Sequence, residues 1–198
     1  MRVYQLVLLA VTGIFVAAIA AFVLYGGGTG GKIVASIGGP FALVDHNGQP
    51  KTDKNFRGRY MLIYFGYTYC PDVCPTALQS MTQAMGRLDP KTQKKIIPIF
   101  ITIDPQRDTA KQLNAYVDNF YPSMIGLTGT PAEIAKTAGV YRVYFNRAKG
   151  ADKESTDYLM DHSSIVFLMD PNGEYVTHFT HATPPEKMAE RLAKLAGT

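Results

Sequence analysis

Both cysteines of the chain fall in one short stretch, Tyr64-Phe65-Gly66-Tyr67-Thr68-Tyr69-Cys70-Pro71-Asp72-Val73-Cys74-Pro75. It follows directly on an apolar run that reads as a strand. Each cysteine is followed by proline, and a residue before proline is pushed away from helical dihedrals. The pair therefore does not read as i, i+4 neighbours on a helix face. It reads as a stiff curled loop, with a helix opening at Pro75 as its first residue. Two sulfurs held at a helix entrance have few uses: closing a disulfide, exchanging with another disulfide, or gripping a soft metal. The positive end of the helix dipole favours thiolate, which is both the nucleophile and the metal ligand.

The 198 residues are enough for one domain with a large core and extra sequence at its start. Net charge is +4, spread along the chain. Lys91, Lys94 and Lys95 form its densest basic group, without the aromatic interleaving or motif of a nucleic-acid binder, so no nucleic-acid partner is expected. From Val3 to Tyr25 there is no charged residue, a run longer than the roughly 20 residues that cross a bilayer as a helix. Ala18-Ile19-Ala20 offers a signal-peptidase pattern, but the apolar run continues through Phe22, Val23 and Leu24. The expectation is an uncleaved transmembrane anchor over 1–25.

Arg2 before that run and Lys32 after it predict an N-in orientation, with the remainder exported into an oxidising compartment. No arginine- and serine-rich transit peptide precedes it, so the expected location is the inner membrane of a bacterium. The anchor would be single-pass, with the soluble domain in the periplasm. Residues 26–35 read as a glycine-rich tether, of which the six residues Gly26–Gly31 alone would reach about 13 Å on average. Such a tether would keep 36–198 near the membrane and favour a membrane-bound partner.

Along that domain, Phe41–Val44, Tyr60–Phe65, Ile96–Ile103, Val140–Phe145, Ser164–Met169 and Glu174–Phe179 read as strands. Pro98 places the start of its strand at the edge of the ladder. Helical spacing runs from Thr76 to Leu88 and recurs in Leu113, Val117 and Phe120. Thr130-Pro131-Ala132-Glu133 is a capping box, and Thr183-Pro184-Pro185-Glu186 caps a last helix with the stripe Met188, Leu192 and Leu195. Residues 146–157 read as a loop. Alternating strands and helices with a terminal hairpin predict an α/β sandwich: a mixed central sheet flanked by helices on both faces.

Three residues separate the cysteines, against two in thioredoxin-type redox motifs, which leaves room for an ion. Two sulfurs suit Cu(I) well and Zn(II) tolerably. Further ligands are few. His162, in Asp161-His162-Ser163-Ser164, reads on its own as a structural histidine before a core strand. His46 lies in a turn and is expected to face solvent. His178 and His181 lie three apart at a strand end, a poor chelating separation. Met81 and Met85 fit the buried stripe of their helix. A closed zinc site wants four ligands that this chain does not supply, whereas a three-coordinate Cys-Cys-His site would suit Cu(I). Asp72 sits between the cysteines and could tune them. Arg107 and Asp108 are expected to organise the loop after the central strand, Asp108 as a helix cap, at the same sheet edge as the cysteines.

The run Phe65–Pro75 closely resembles the signature of the SCO/SenC family of membrane-anchored copper proteins that assist assembly of cytochrome c oxidase. Asp104-Pro105-Gln106-Arg107-Asp108-Thr109 resembles that family's second motif. Asp161-His162-Ser163, followed by a strand and Asp170-Pro171-Asn172-Gly173, resembles its third. The resemblance implies a thioredoxin-like fold and copper, as Cu(I) or Cu(II), bound by Cys70, Cys74 and His162. Asp72, Arg107, Asp108 and Asp161 would surround that site. It implies a copper chaperone rather than a turnover enzyme, one that helps load the binuclear copper centre of the oxidase. The partners would be the oxidase copper-site subunit and another copper chaperone or thiol reductant. The alternative is a thiol-disulfide reductase that keeps the oxidase cysteines reduced.

Overall fold

The computed structural model describes residues 2–25, 37–148 and 157–197. The predicted tether lies outside the described residues, as do positions 149–156 of the predicted loop. The chain divides into two compact units, Met1–Ala35 and Ser36–Thr198. In the first, α1 (Arg2–Tyr25) is a 24-residue helix. Among the described residues no helix is long and apolar enough to cross a membrane; the side chains at 2, 6, 9, 10 and 22–25 of α1 are not among them.

The second unit runs β1 (Ala42–Asp45), β2 (Pro50–Thr52), a 3-10 turn (Asp53–Phe56), β3 (Tyr60–Gly66), α2 (Val73–Gly86) and α3 (Pro90–Lys95). It continues with β4 (Ile96–Thr102), α4 (Ala110–Val117), β5 (Ile125–Thr128), α5 (Pro131–Val140), β6 (Phe145–Arg147) and β7 (Met160–His162). It ends in β8 (Ile165–Met169), β9 (Tyr175–Thr180) and α6 (Pro185–Ala196). Seven strands form one mixed sheet in the order β2-β1-β5-β4-β3-β8-β9, and β6 and β7 pair as a separate ribbon. β3, β4 and β5 are parallel, while β8 runs antiparallel to β3. This is the expected α/β sandwich.

β4 is buried along its whole length, as its continuous apolar run requires of a strand covered on both faces. Alternation sends Tyr64 and Phe100 to the face that carries Cys74 of α2 and Tyr116 of α4. Phe65 and Phe167 point to the other face, against Tyr141 at the end of α5. β5 joins the ladder only from Ile99 onward, which leaves Pro98 just outside that pairing as expected. The capping box of α5 is present, with Thr130 N–H donating to Glu133 Oε2 at 2.7 Å.

Several expectations are corrected. α2 begins at Val73, so Cys74 and Pro75 lie inside its first turn rather than Pro75 opening it. Residues 140–144 are not a strand: α5 runs through Val140, and Arg142 turns the chain with φ 57° before β6. Thr183 does not cap α6; its hydroxyl accepts from Thr180 N–H, and Pro184 holds the cap position. Thr109 caps α4 in place of Asp108, accepting from Gln112 N–H. His46 is half-buried rather than solvent-facing, its Nδ1 accepting from Gly126 N–H at 3.0 Å.

The topology decides where the chemistry goes. β3 and β4 are parallel and in register to Gly66–Thr102, so the loops after them leave from one sheet edge. β8 is antiparallel to β3, with Tyr64 paired to Val166, so the residues just before β8 arrive at that same edge. Cysteine loop, Asp104–Thr109 loop and His162 meet there.

Candidate metal centre

The cysteine loop is tied down from beneath by Asp108, which is fully buried. Its carboxylate accepts from Thr68 N–H at 3.0 Å, Thr68 Oγ1 at 2.7 Å and Thr102 Oγ1 at 2.7 Å. Its own backbone carbonyl accepts from Thr128 Oγ1 at 2.8 Å. Burial pushes the Asp108 carboxyl above its ordinary pKa, and the threonine donors work against that rise.

Cys74 is 0% exposed and Cys70 is 9% exposed. Both are free thiols. Cys74 sits over the end of β3, where a Cβ on Gly66 would come 2.8 Å from its sulfur and 2.9 Å from the Tyr64 ring. Only glycine leaves that berth open. Gly66→Ala should therefore push α2 outward and destabilise the fold by about 1–3 kcal/mol, as overpacking does. Urea unfolding of the two proteins measures this, and equal midpoints would contradict it.

His162 ends β7, paired with Phe145 of β6. Its Nδ1 lies 3.2 Å from the Ser163 carbonyl, and its Nε2 lies 3.5 Å from Cys74 Sγ. A carbonyl can only accept, so Nδ1 carries a proton, and in the neutral ring Nε2 is left to present its lone pair to the sulfurs. Tyr64 and Tyr67 stand edge-on to the imidazole, with ring centroids 6.2 and 5.9 Å away. The three donor atoms of Cys70, Cys74 and His162 all lie within 4.8 Å of one another. Donors about 2.0–2.3 Å from a shared ion stand roughly 3.5–4 Å apart in a trigonal plane. The set fits one small ion with little movement.

The two thiols are not equivalent. Cys70 is lowered to about 5, chiefly because the Cys74 thiol donates to it. The backbone amides of Asp72 and Cys74 and the charge of His162 add to that, against the effect of burial. Cys74 is raised well above the usual thiol range by the same pairing and by burial. Burial and the neighbouring Cys74 raise Tyr64 as well.

A free thiol in the unfolded chain ionises near pH 8.5. The folded state thus gains stability from Cys70 that is complete above about 8.5 and lost as pH falls through about 5. Alkylation of the reduced, metal-free protein should follow one thiolate with a midpoint near pH 5. In His162→Ala the midpoint should rise. A single midpoint near 8.5 would contradict the asymmetry.

Asp72 occupies the cap position of α2 with its side chain exposed and no capping bond, so it reaches Cys70 through its amide alone. Arg107 pairs with Asp104, Nε to Oδ2 at 2.5 Å, and its guanidinium faces the Tyr69 ring at 4.7 Å. Asp161 is exposed and pairs with Asn146, one strand position from His162 and so on the opposite ribbon face. His178 is exposed against the Tyr175 hydroxyl at 2.5 Å, and Met81 and Met85 are core. Sequence reasoning missed Gly66, Thr68, Thr102, the tyrosine walls and Tyr158. Of these, only the glycine directly after a buried strand carried a local signal.

Fold and donor set together define a thioredoxin-like domain equipped to hold a soft metal ion. The chain belongs to the SCO1/SenC family, whose model matches residues 31–197. It is 45% identical to the human mitochondrial SCO1 homolog over 158 residues, covering 79% of this chain and 52% of that protein. The chain spans about half the length of the first curated relatives it matches, between 47% and 55% for three of them.

Among solved structures, Bradyrhizobium japonicum ScoI with copper bound is 43% identical at a TM-score of 0.72, covering 80% of this chain and 99% of that one. Yeast Sco1 with copper bound is 37% identical at a TM-score of 0.75, covering 82% and 90%. BsSco, described as a member of the Sco family of cytochrome c oxidase assembly proteins, shares the fold at 23% identity and a TM-score of 0.62, covering 82% and 95%.

Proposed function

We propose that this protein is a membrane-anchored copper metallochaperone that takes one copper ion on Cys70, Cys74 and His162. It would surrender the ion by ligand exchange to the copper-site subunit of a cytochrome c oxidase. The observation that carries this reading is the convergence of two sulfurs and an imidazole nitrogen within 4.8 Å at one sheet edge. Copper in the ScoI and Sco1 relatives supports the choice of ion. Two thiolates with one imidazole favour Cu(I), and the imidazole also suits Cu(II). Asp108, Arg107 and Asp72 would hold the loop around the ion, and Asp161 would face outward. The copper is cargo, so the protein is a carrier and not a turnover enzyme.

The membrane reading rests on α1. At about 1.5 Å per residue its 24 residues extend for roughly 36 Å, longer than a hydrocarbon core of about 30 Å. The apolar sequence from Val3 to Tyr25 supports a single span with residues 36–198 on the periplasmic side of a bacterial inner membrane. The tether would keep the carrier beside a partner that is itself in the membrane.

Anaerobic titration of the detergent-solubilised, reduced full chain with Cu(I) at neutral pH should saturate at one equivalent with release of the Cys74 thiol proton. No saturable site, or stoichiometry unaffected by Cys74→Ala, would remove the carrier reading.

The second reading, a thiol-disulfide reductase acting on the oxidase cysteines, is favoured by one observation. Cys70 is a low-pKa thiol beside a buried resolving partner. The two roles are compatible, because thiols must be reduced before they accept copper.

A further inference from the structure

Among the described residues, β6 and β7 pair only with each other, yet they carry His162 to within 3.5 Å of Cys74. β8 brings the end of β7 to this sheet edge, but among the described residues no strand pairing fixes the rest of the ribbon against the cysteine loop. The residue placed to do so is Tyr158, buried just before β7. Its ring lies between two guanidinium groups, with Arg107 Cζ 3.6 Å and Arg147 Cζ 3.8 Å from the ring centroid. Both are close enough for cation–π attraction.

Its hydroxyl donates to Asp104 Oδ1 at 2.8 Å, and the other oxygen of that carboxylate accepts from Arg107 Nε at 2.5 Å. Arg147 belongs to β6 and donates to Gln106 at 3.2 Å. Arg107 reaches on to Tyr69 and Tyr67, the rings of the cysteine loop, at 4.7 and 5.7 Å. Tyr67 closes the circuit, its hydroxyl accepting from Met160 N–H at 3.2 Å. One ring thus ties both ribbon strands to the loop after β4 and, through Arg107, to the cysteines.

We propose that Tyr158 is a positioning residue for metal binding: clamped between Arg107 and Arg147, it fixes the ribbon so that His162 stands over Cys70 and Cys74. The metal part of this inference rests on the proposed function, but the clamp itself does not. A buried tyrosine that merely packs would stabilise the whole domain and have no selective hold on the ribbon.

The test uses the full chain in detergent, metal-free and then copper-loaded, as wild type, Tyr158→Phe and Tyr158→Leu. Phenylalanine keeps both cation-facing surfaces and loses the Asp104 bond, whereas leucine keeps apolar bulk and loses both. In the metal-free protein, Tyr158→Leu should accelerate amide hydrogen exchange at Met160 and Ser163 by about tenfold or more, the effect of losing two partly desolvated cation–π contacts and a charged hydrogen bond. Ile63 and Ile99 should stay within about twofold of wild type, since β3 and β4 open only with the core. Tyr158→Phe, which loses the Asp104 bond alone, should fall between wild type and Tyr158→Leu.

With Cu(II), Tyr158→Leu should lose most of the imidazole nitrogen coupling in the EPR spectrum and bind about tenfold more weakly, as supporting residues around a site typically do. Unchanged exchange at Met160 and Ser163 in Tyr158→Leu would overturn the clamp. Equal acceleration in β3 and β4 would overturn it too, leaving ordinary packing. Wild type that takes up no copper would sink the carrier reading instead, and the exchange data would still decide the clamp.

Discussion

His162→Ala is expected to fold normally and to bind Cu(I) more weakly by on the order of 10²- to 10³-fold. That range is one ligand's share of the about 10–16 kcal/mol typical of a four-ligand site. The fold should survive because His162 is half-buried on a ribbon outside the seven-stranded sheet. What the substitution removes is the nitrogen that Ser163 orients toward Cys74 at 3.5 Å. The same protein separates the two functional readings. A reductase needs Cys70 and Cys74 but not the imidazole, so dithiol-disulfide exchange should survive while copper retention fails. Wild-type copper affinity in His162→Ala would eliminate the three-ligand site. Restored oxidase assembly in cells carrying that variant would favour the reductase.

Asp108→Ala should be the most damaging single change away from the ligands. It deletes an acceptor for three donors in a site with no exposure. With Thr68 N–H left unpaired, the cost should be about 3 kcal/mol or more. The cysteine loop should loosen at the same time, since Thr68 lies two residues before Cys70. Asp108→Asn can keep an oxygen for Thr68 N–H and the Thr102 hydroxyl while the Thr68 hydroxyl turns to accept from the amide, so about 1 kcal/mol is expected.

The pH dependence follows from burial raising the Asp108 carboxyl. The folded chain then binds that proton more tightly than the unfolded chain. Wild type therefore gains stability from this group as pH falls through the raised value, complete below the unfolded carboxyl range near 3.9. Asp108→Asn lacks that gain. Urea titrations of the three proteins at neutral and acidic pH report both effects; a mild Asp108→Ala phenotype would mean the loop is held by something else.

What could be read from the chain alone was what is local. Apolar runs gave β3 and β4 within a residue or so, and Thr130 with Glu133 marked the start of α5. Val140–Phe145 misled because its alternation imitates a strand, while helical continuation through Val140 and the left-handed turn at Arg142 decide the outcome. Asp108 and Thr109 are both good caps. Thr109 took the role and freed Asp108 for the loop, a choice no single-residue preference can make. β5, only four residues with Gly126 inside it, was too short to stand out. The nearness of His162 to the cysteines follows from β8 lying antiparallel beside β3. Strand order is a property of the whole sheet, so the sequence supplied that neighbour only through family resemblance.

Cys74 and His162 are separated by 88 positions along the chain, and the second sits on a ribbon that owes the main sheet no strand pairing. An ion held by both would act as a crosslink closing a very long loop, the geometry in which chain entropy rewards a clip most. It would also bind the native state alone, so occupancy would raise resistance to unfolding by mass action. Laden and empty carriers would then differ in how readily a protease cuts them, and cargo status would be written into the lifetime of the polypeptide.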